Sequence, residues 1–147
     1  MKKTITIAAL AVTATLSLFS FAGAAEFPTA EETYQDVEAT LGVLPSHVKA
    51  YPPSAVAGAW AMTKGLLFDE SNVLEPKVKA LINLAVAAQS PCQYCIWLET
   101  KTAKGSGATD AEVAEAVAQA AYVRHWSTVL NGMQIDFATF KSEFGGD

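Results

Sequence analysis

The sequence contains very few of the residues on which metal sites depend. Its 147 residues include two cysteines, Cys92 and Cys95, and two histidines, His47 and His125. A structural zinc site needs four ligands, and neither histidine stands at a zinc-finger spacing from the cysteines. We therefore predict no metal and no cofactor, although half of a zinc site is an alternative for a pair of cysteines at this spacing.

Basic residues are also scarce. Ten Lys and Arg face fifteen Asp and Glu, so the formal net charge is -5. A surface that binds nucleic acid needs an excess of positive charge to displace counterions from phosphates. This balance predicts that nucleic acid is not a partner.

Signals for β-structure are missing, whereas signals for helices recur. Alternating apolar and polar runs and hairpin turns between β-branched segments are absent. Thr29 with Glu32 and Thr109 with Glu112 form capping-box patterns, and Pro76 suits a first helical turn before a densely apolar run. The sequence predicts an all-α domain of about six to seven helices, with the run after Pro76 in its core. The expected helices cover residues 29–41, 52–67, 76–90, the cysteine segment to about 104, and 109–132, and Ser46 is expected to cap a short turn. A last helix is expected to carry Phe137, Phe140 and Phe144 on one face. We expect this aromatic stripe to lie in the core or at a subunit contact.

The N-terminal residues have the pattern of a secretory signal peptide. Lys2 and Lys3 precede an apolar run over residues 5–21, and small residues follow at 22–24. We predict a signal peptide over residues 1–24, a mature domain over 25–147, a periplasmic or secreted location, and no membrane association after cleavage. A membrane anchor is the alternative, but threonines and serines interrupt the apolar run. Cleavage would leave eight basic residues against fifteen acidic ones, a formal charge of -7.

The two cysteines form a C-x-x-C motif at the predicted start of a helix. Positions three apart share a helical face, so Cys92 and Cys95 can close a disulfide. Pro91 separates this helix from the preceding one, and the free N–H groups and positive dipole of the new helix favour a thiolate. We predict a redox-active dithiol, with Cys92 as the more accessible sulfur. A static disulfide is the alternative, although so short a loop constrains the unfolded chain very little.

The segment around this motif resembles the AhpD-like, or carboxymuconolactone decarboxylase, family. The resemblance rests on Pro76-Lys77-Val78-Lys79, on the apolar run over residues 81–88, on the C-x-x-C motif, and on the segments 101–104, 107–117 and, more distantly, 124–132. It implies an all-helical domain that assembles into trimers or hexamers. It also implies a dithiol that reduces peroxides or other disulfides.

The resemblance also implies roles for single residues. In redox-active members the second cysteine attacks the peroxide and the first resolves the product, which here are Cys95 and Cys92. A glutamate twelve residues before the first cysteine and a histidine four residues after the second relay the proton. This sequence has Ala80 and Glu99 at those positions, so the family's relay is not transferred.

Two residues are candidates to replace the relay. Glu99 follows Cys92 and Cys95 at a spacing that shares one helical face, and burial would raise its pKa and make it a better base. The alternative for Glu99 is a surface position beside Lys101 or Lys104. His125, on the long helix, could exchange a proton near neutral pH, or could instead lie at a packing or subunit interface.

The favoured function is an exported, thiol-dependent antioxidant protein that reduces peroxides through the Cys92 and Cys95 pair. Its expected partners are a small peroxide or disulfide substrate, an unidentified thiol electron donor and further copies of the chain. One alternative is a periplasmic thiol-disulfide exchange protein. Another is a non-catalytic helical oligomer with a structural or sensing disulfide. Lactone decarboxylation is disfavoured because no carboxylate clamp is evident and Arg124 is the lone arginine.

Overall fold

The computed structural model describes residues 27–146, and all regular structure within them is helical. The predicted signal peptide, residues 1–24, lies outside the described residues, and the domain limits that depend on it stay predictions. The all-α fold predicted from the sequence is confirmed. No helix in the described part of the chain is both long and apolar enough to cross a membrane. The helices are α1 (Ala30–Leu41), α2 (Ser46–Ala50), α3 (Val56–Leu67), α4 (Pro76–Gln89), α5 (Gln93–Gly105), α6 (Asp110–Gly132) and α7 (Phe137–Glu143).

The chain divides after Gly58 into two compact units, and the first contains α1, α2 and the start of α3. The predicted capping box opens α1: Thr29 Oγ1 accepts the N–H of Glu32 at 3.2 Å, and the Glu32 carboxylate accepts the N–H of Thr29 at 2.8 Å. The helix ends at Gly42, whose φ of 74° lies in the left-handed region that favours glycine. Both helix signals read from the sequence are confirmed.

Two helix starts differ from the prediction. Pro45, not Ser46, is the N-cap of α2, and it provides no side-chain hydrogen bond. Helix α3 begins at Val56 rather than at the prolines, and the carbonyl of Pro52 accepts the N–H groups of Ala55 and Val56 in a turn. The cause is local, because a residue that precedes proline is kept out of the helical region and Pro53 follows Pro52.

Helix α4 is the centre of the second unit and packs against both α5 and α6. Lys77 Nζ lies 2.8 Å from Glu112 Oε1 near the start of α6, and Gln89 Nε2 donates to the Ala120 carbonyl at 2.7 Å further along it. Helices α4 and α6 therefore run in the same direction. The short connection after Gln89 turns the chain back, so α5 runs antiparallel to α4.

Small side chains form the core between these helices. Ala80 is 2% exposed and Ala103 is fully buried, and Ala108 joins them. Leu81 and Val113 pack against this cluster. Because alanine side chains are short, the three helix backbones can approach each other closely at this end of α4. The prediction that the run after Pro76 is central to the core is confirmed.

Other apolar side chains of the second unit remain at the surface. Val78, Ile82 and Val86 recur every four residues along α4 and are exposed. Phe137 and Phe144 are 75% and 78% exposed. The aromatic stripe of α7 is therefore not core within this chain, which leaves the subunit-contact alternative.

Candidate active site

Cys92 and Cys95 are joined by a disulfide at the first turn of α5, with an S–S distance of 2.05 Å and a Cα–Cα distance of 5.3 Å. Cys92 is the N-cap of the helix, and its Sγ accepts the N–H of Cys95 at 3.2 Å. Pro91 lies in the connection between the end of α4 and this cap. The predicted position of the motif at a helix start is confirmed.

The two sulfur-bearing residues differ in exposure. Cys95 is exposed, whereas Cys92 is half-buried. The expectation that Cys92 is the more accessible residue is wrong, because its backbone folds back on α4, where the Cys92 N–H donates to the Ala87 carbonyl at 3.2 Å. Access to a reactant favours Cys95, while the N-cap hydrogen bond favours negative charge on Cys92.

Glu99 lies on α5 one turn after Cys95 and is half-buried. Burial raises the pKa of Glu99 above its ordinary value, and a hydrogen bond from the Asn83 side chain on α4 partly opposes this rise. The half-burial and the direction of the pKa shift agree with the expectation for a base on this face. The site therefore holds a dithiol and a carboxylate that titrates closer to neutral pH than an exposed glutamate does.

The lysines considered as partners of Glu99 contact other groups. Lys101 Nζ lies 5.3 Å above the centre of the Trp97 ring, and Lys104 Nζ lies 2.6 Å from an Asp110 oxygen. Neither lysine is a cause of the shift in the Glu99 pKa, which burial raises and the Asn83 side chain lowers.

Asn83 is the site residue that sequence reasoning missed. A signal was present, since Asn83 is the single polar residue in the run over residues 81–88. Ala80, at the position of the family's glutamate, lies one turn earlier on α4 and is buried in the alanine core.

His125 lies apart from these groups. It is exposed on α6, and its ring makes an edge contact with Trp126, with the centroids 5.3 Å apart. Within residues 27–146 no hydrogen bond or ring contact joins His125 to either cysteine or to Glu99. The structure thus brings together three of the four predicted residues, and the role of His125 stays a prediction.

An open cavity of about 390 Å³ lies beside α4. Its walls come from the end of α3, the segment that follows it and α4, and they include Met62, Leu66 and Ile82. Asn83 forms part of the wall. Among the described residues, no group of three or more His, Cys, Asp and Glu side chains could hold a metal ion.

The helical fold and the dithiol define an AhpD-like protein. The structure is similar to the crystal structure of an alkylhydroperoxidase AhpD core from Rhodospirillum rubrum, with a TM-score of 0.64 and 26% sequence identity over 73% of this chain and 81% of that one. Residues 53–136 match the carboxymuconolactone decarboxylase family, and the chain belongs to this family. The family and fold predicted from the sequence are confirmed. Among curated proteins, no sequence matches significantly.

Proposed function

We propose that the protein is a thiol-dependent peroxidase whose reactive groups are Cys95, Cys92 and Glu99. The observation that carries the proposal is the exposed Cys95, bonded to Cys92 at a helix start and followed one turn later by a half-buried carboxylate. Membership of a family that includes an alkylhydroperoxidase core structure supports the same chemistry.

The disulfide form is the oxidised end of the proposed cycle. A dithiol donor first reduces it, and Glu99 then takes the proton of the Cys95 thiol. The Cys95 thiolate attacks one peroxide oxygen, the O–O bond breaks, and the departing alkoxide takes the proton from Glu99. Cys95 is now a sulfenic acid; the Cys92 sulfur attacks it, and hydroxide leaves with the Cys92 proton as water. The net change is one peroxide reduced to alcohol and water and one dithiol oxidised to disulfide.

Glu99 is suited to this role by its position. Full exposure would keep its pKa too low for a useful base near neutral pH, and full burial would keep it protonated. A half-buried Glu99, whose pKa burial raises and the neutral Asn83 side chain partly lowers, lies between these two limits. His125 is proposed as a second proton-exchanging group; it is exposed on α6 and would have to act through solvent.

Separate Cys95→Ser and Cys92→Ser variants test the peroxidase activity. With a peroxide and a dithiol reductant, we expect Cys95→Ser to lose turnover and Cys92→Ser to react once and stop as a sulfenic acid, detected by mass spectrometry with a sulfenic-acid trap. Ser106→Ala, a change outside the motif at the C-terminal end of α5, is the control. Unchanged turnover in both cysteine variants would remove the peroxidase proposal.

We also propose that the protein is exported, on the sequence pattern of residues 1–24. Its location would be periplasmic or secreted, and the thiol donor would have to act in the same compartment. Mass spectrometry of the protein purified from a cell-envelope fraction should give a mass that begins at Ala25. A full-length protein confined to the cytoplasm contradicts export without affecting the chemistry.

Self-assembly into a trimer or hexamer is proposed on the exposed apolar side chains of the second unit. Val86 is 60% exposed on the outward stripe of α4, and contiguous apolar surface of this kind marks association sites. Light scattering should give a multiple of the chain mass, and Val86→Glu should shift it toward monomer. Ala114→Glu, an equally charged change at another exposed position, should leave the mass unchanged.

Protein thiol-disulfide exchange is the second candidate, and a specific surface favours it. Tyr94 and Trp97 are 79% and 65% exposed beside Cys95, and exposed aromatic side chains are typical anchors for a protein partner. The reduction potential distinguishes an oxidant from an inert bridge, since structural disulfides have potentials below about -300 mV. A value in that range argues against transfer of the disulfide to other proteins.

A further inference from the structure

We infer that the cavity beside α4 is a binding site for a free medium-chain fatty acid, whose aliphatic chain lies on the apolar wall and whose carboxylate pairs with Lys79. The cavity lies between the end of α3 and α4, and residues 72–74 form its third side. The inference goes beyond the proposed function, because within residues 27–146 neither cysteine belongs to the cavity wall.

The apolar part of the wall is built from two helices and the segment between them. Met62 and Leu66 lie one turn apart on α3, and Ile82 lines the cavity from α4. Leu66 is 61% exposed and Ile82 is 48% exposed, so an aliphatic chain that covers them removes apolar surface from water. A volume of about 390 Å³ with mainly apolar walls lies in the size range of sites for small organic molecules.

Lys79 gives this apolar cavity a positive charge. It is the one charged residue of the wall in the described part of the chain, and it is half-buried. Lys79 precedes Ile82 by three positions on α4, so the two side chains share a helical face. No ion pair engages Lys79 between residues 27 and 146. A single cation beside an apolar surface complements a ligand that has one carboxylate and an aliphatic chain.

Asp69 is the acidic residue whose pKa Lys79 influences, and Ser71 engages it. Asp69 Oδ1 accepts the Ser71 N–H at 2.8 Å and the Ser71 hydroxyl at 2.7 Å. These hydrogen bonds are the main causes of the lowered Asp69 pKa, and the charge of Lys79 is the smallest one. The ammonium group of Lys79 is therefore available to an anionic ligand.

Two other polar residues of the wall donate their hydrogen bonds to backbone carbonyls. The Thr63 hydroxyl donates to the Ala59 carbonyl at 3.0 Å. Asn72 Nδ2 donates to the carbonyls of Gly65 and Asp69 at 2.8 Å and 2.9 Å, which holds residues 72–74 to the end of α3. The ligand carboxylate is therefore directed to Lys79 and not to these two residues.

A homologous series of fatty acids tests the apolar part of the inference. Calorimetric titration of the disulfide form with hexanoate, octanoate and decanoate, each below its micellar concentration, gives the affinities. The affinity should rise about fourfold with each added methylene group until the chain outgrows the cavity. A series without this rise overturns the inference.

Charge variants test the contribution of Lys79. Lys79→Gln should lower the affinity for decanoate by about tenfold and leave the affinity for decan-1-ol unchanged. Lys79→Arg keeps the charge and should retain decanoate binding, and Lys141→Gln, which removes an exposed lysine on α7, is the control. An unchanged decanoate affinity in Lys79→Gln, or an equal loss for both ligands, overturns the inference.

Light scattering and a cysteine variant separate this site from the other proposals. If a second copy of the chain covers the cavity, decanoate will not bind to the assembled protein and Leu66→Glu will lower its mass, which overturns the inference. Cys95→Ser should bind decanoate as tightly as the wild type does. Loss of the peroxidase proposal would thus leave the fatty-acid site standing, and absence of decanoate binding would leave the peroxidase proposal standing.

Discussion

The two ends of the α4 and α5 pair differ in how tightly their side chains pack and how far solvent reaches them. At one end Ala80, Ala103 and Ala108 close the space between the helices, and almost none of their surface meets solvent. At the other end Cys95 is exposed and Cys92 is half-buried, and Glu99, midway along α5, is also half-buried. One helix pair therefore contains both a tightly packed end and an open, reactive end.

The difference explains where this chain can place an acid. The resemblance implies a glutamate at the position of Ala80, but here the position belongs to the closed end, which offers no room and no water to a carboxylate. Glu99, midway along α5, is half-buried and keeps contact with solvent, and the Asn83 side chain partly opposes the rise of its pKa. A carboxyl group can titrate there, whereas at Ala80 it would remain a buried, neutral and overpacked side chain.

The largest expected effect comes from restoring the glutamate at the closed end. Ala80→Glu would insert a long polar side chain into a position that is 2% exposed. We expect the free energy of unfolding at neutral pH to fall by about 3 kcal/mol or more, from overpacking and the loss of hydration together. Urea unfolding followed by circular dichroism measures this change.

Ala114→Glu is the matched control for that substitution. Ala114 is exposed on α6, so the same change there should alter the free energy of unfolding by about 0.5 kcal/mol or less. If the two variants were equally stable, the closed end would not be the packed core that distinguishes it from the open end.

The next largest effect is expected on the rate of reaction with peroxide, when Glu99 is replaced. Glu99→Gln keeps the size of the side chain but removes its proton exchange, so the rate of reaction of the reduced protein with peroxide should fall by about a hundredfold. The variant should be at least as stable as the wild type at neutral pH, because burial raises the Glu99 pKa and thereby disfavours the ionised carboxylate in the folded state. Stopped-flow kinetics and urea unfolding measure the two quantities.

Unchanged kinetics in this variant would contradict the proposed difference between a packed end and a reactive end. Glu99→Gln with unchanged kinetics would show that the carboxylate is a passive surface group. Glu115→Gln, on an exposed part of α6, is the control for a change in net charge, and it should leave both the rate and the stability unchanged.

Local signals in the sequence predicted the closed end better than the open end. Capping boxes and Pro76 depend on a few neighbouring residues, so the starts of α1, α4 and α6 were predictable. The C-x-x-C motif likewise located the dithiol. Helix α3 starts later than predicted because Pro53 keeps Pro52 out of the helical region, although proline otherwise suits a first turn.

Contacts between helices could not be obtained in this way. The exposure of Cys95 relative to Cys92 depends on the backbone contact with Ala87, and the partner of Glu99 depends on how α4 faces α5. Neither follows from the spacing of residues along one helix. Asn83 was visible as a lone polar residue in an apolar run, but its effect on the Glu99 pKa depends on the packing of the two helices.

Two side-chain interactions between α4 and α6, a hydrogen bond and an ion pair, extend the comparison to weaker contributions. At the open end the half-buried Gln89 donates to the Ala120 carbonyl at 2.7 Å. Gln89→Ala should lower the free energy of unfolding by about 1 kcal/mol, and by the same amount from pH 7 to pH 3, because neither partner titrates. Urea unfolding at both pH values checks this, and a strongly pH-dependent effect would contradict it.

At the closed end the corresponding interaction between α4 and α6 is the ion pair of Lys77 and Glu112. Its contribution to the free energy of unfolding should depend on pH. The Lys77 ammonium, followed by the N–H and hydroxyl of Thr109, lowers the pKa of Glu112 from 4.5 to about 2. A lowered acid pKa stabilises the folded state above pH 4.5, and this stabilisation disappears as the pH falls toward 2. Glu112→Gln retains an acceptor for the capping box but removes the charge. The small difference in unfolding free energy between wild type and variant should therefore shrink between pH 5 and pH 2. A constant difference would mean that the ion pair contributes nothing to stability and that the closed end depends on packing alone.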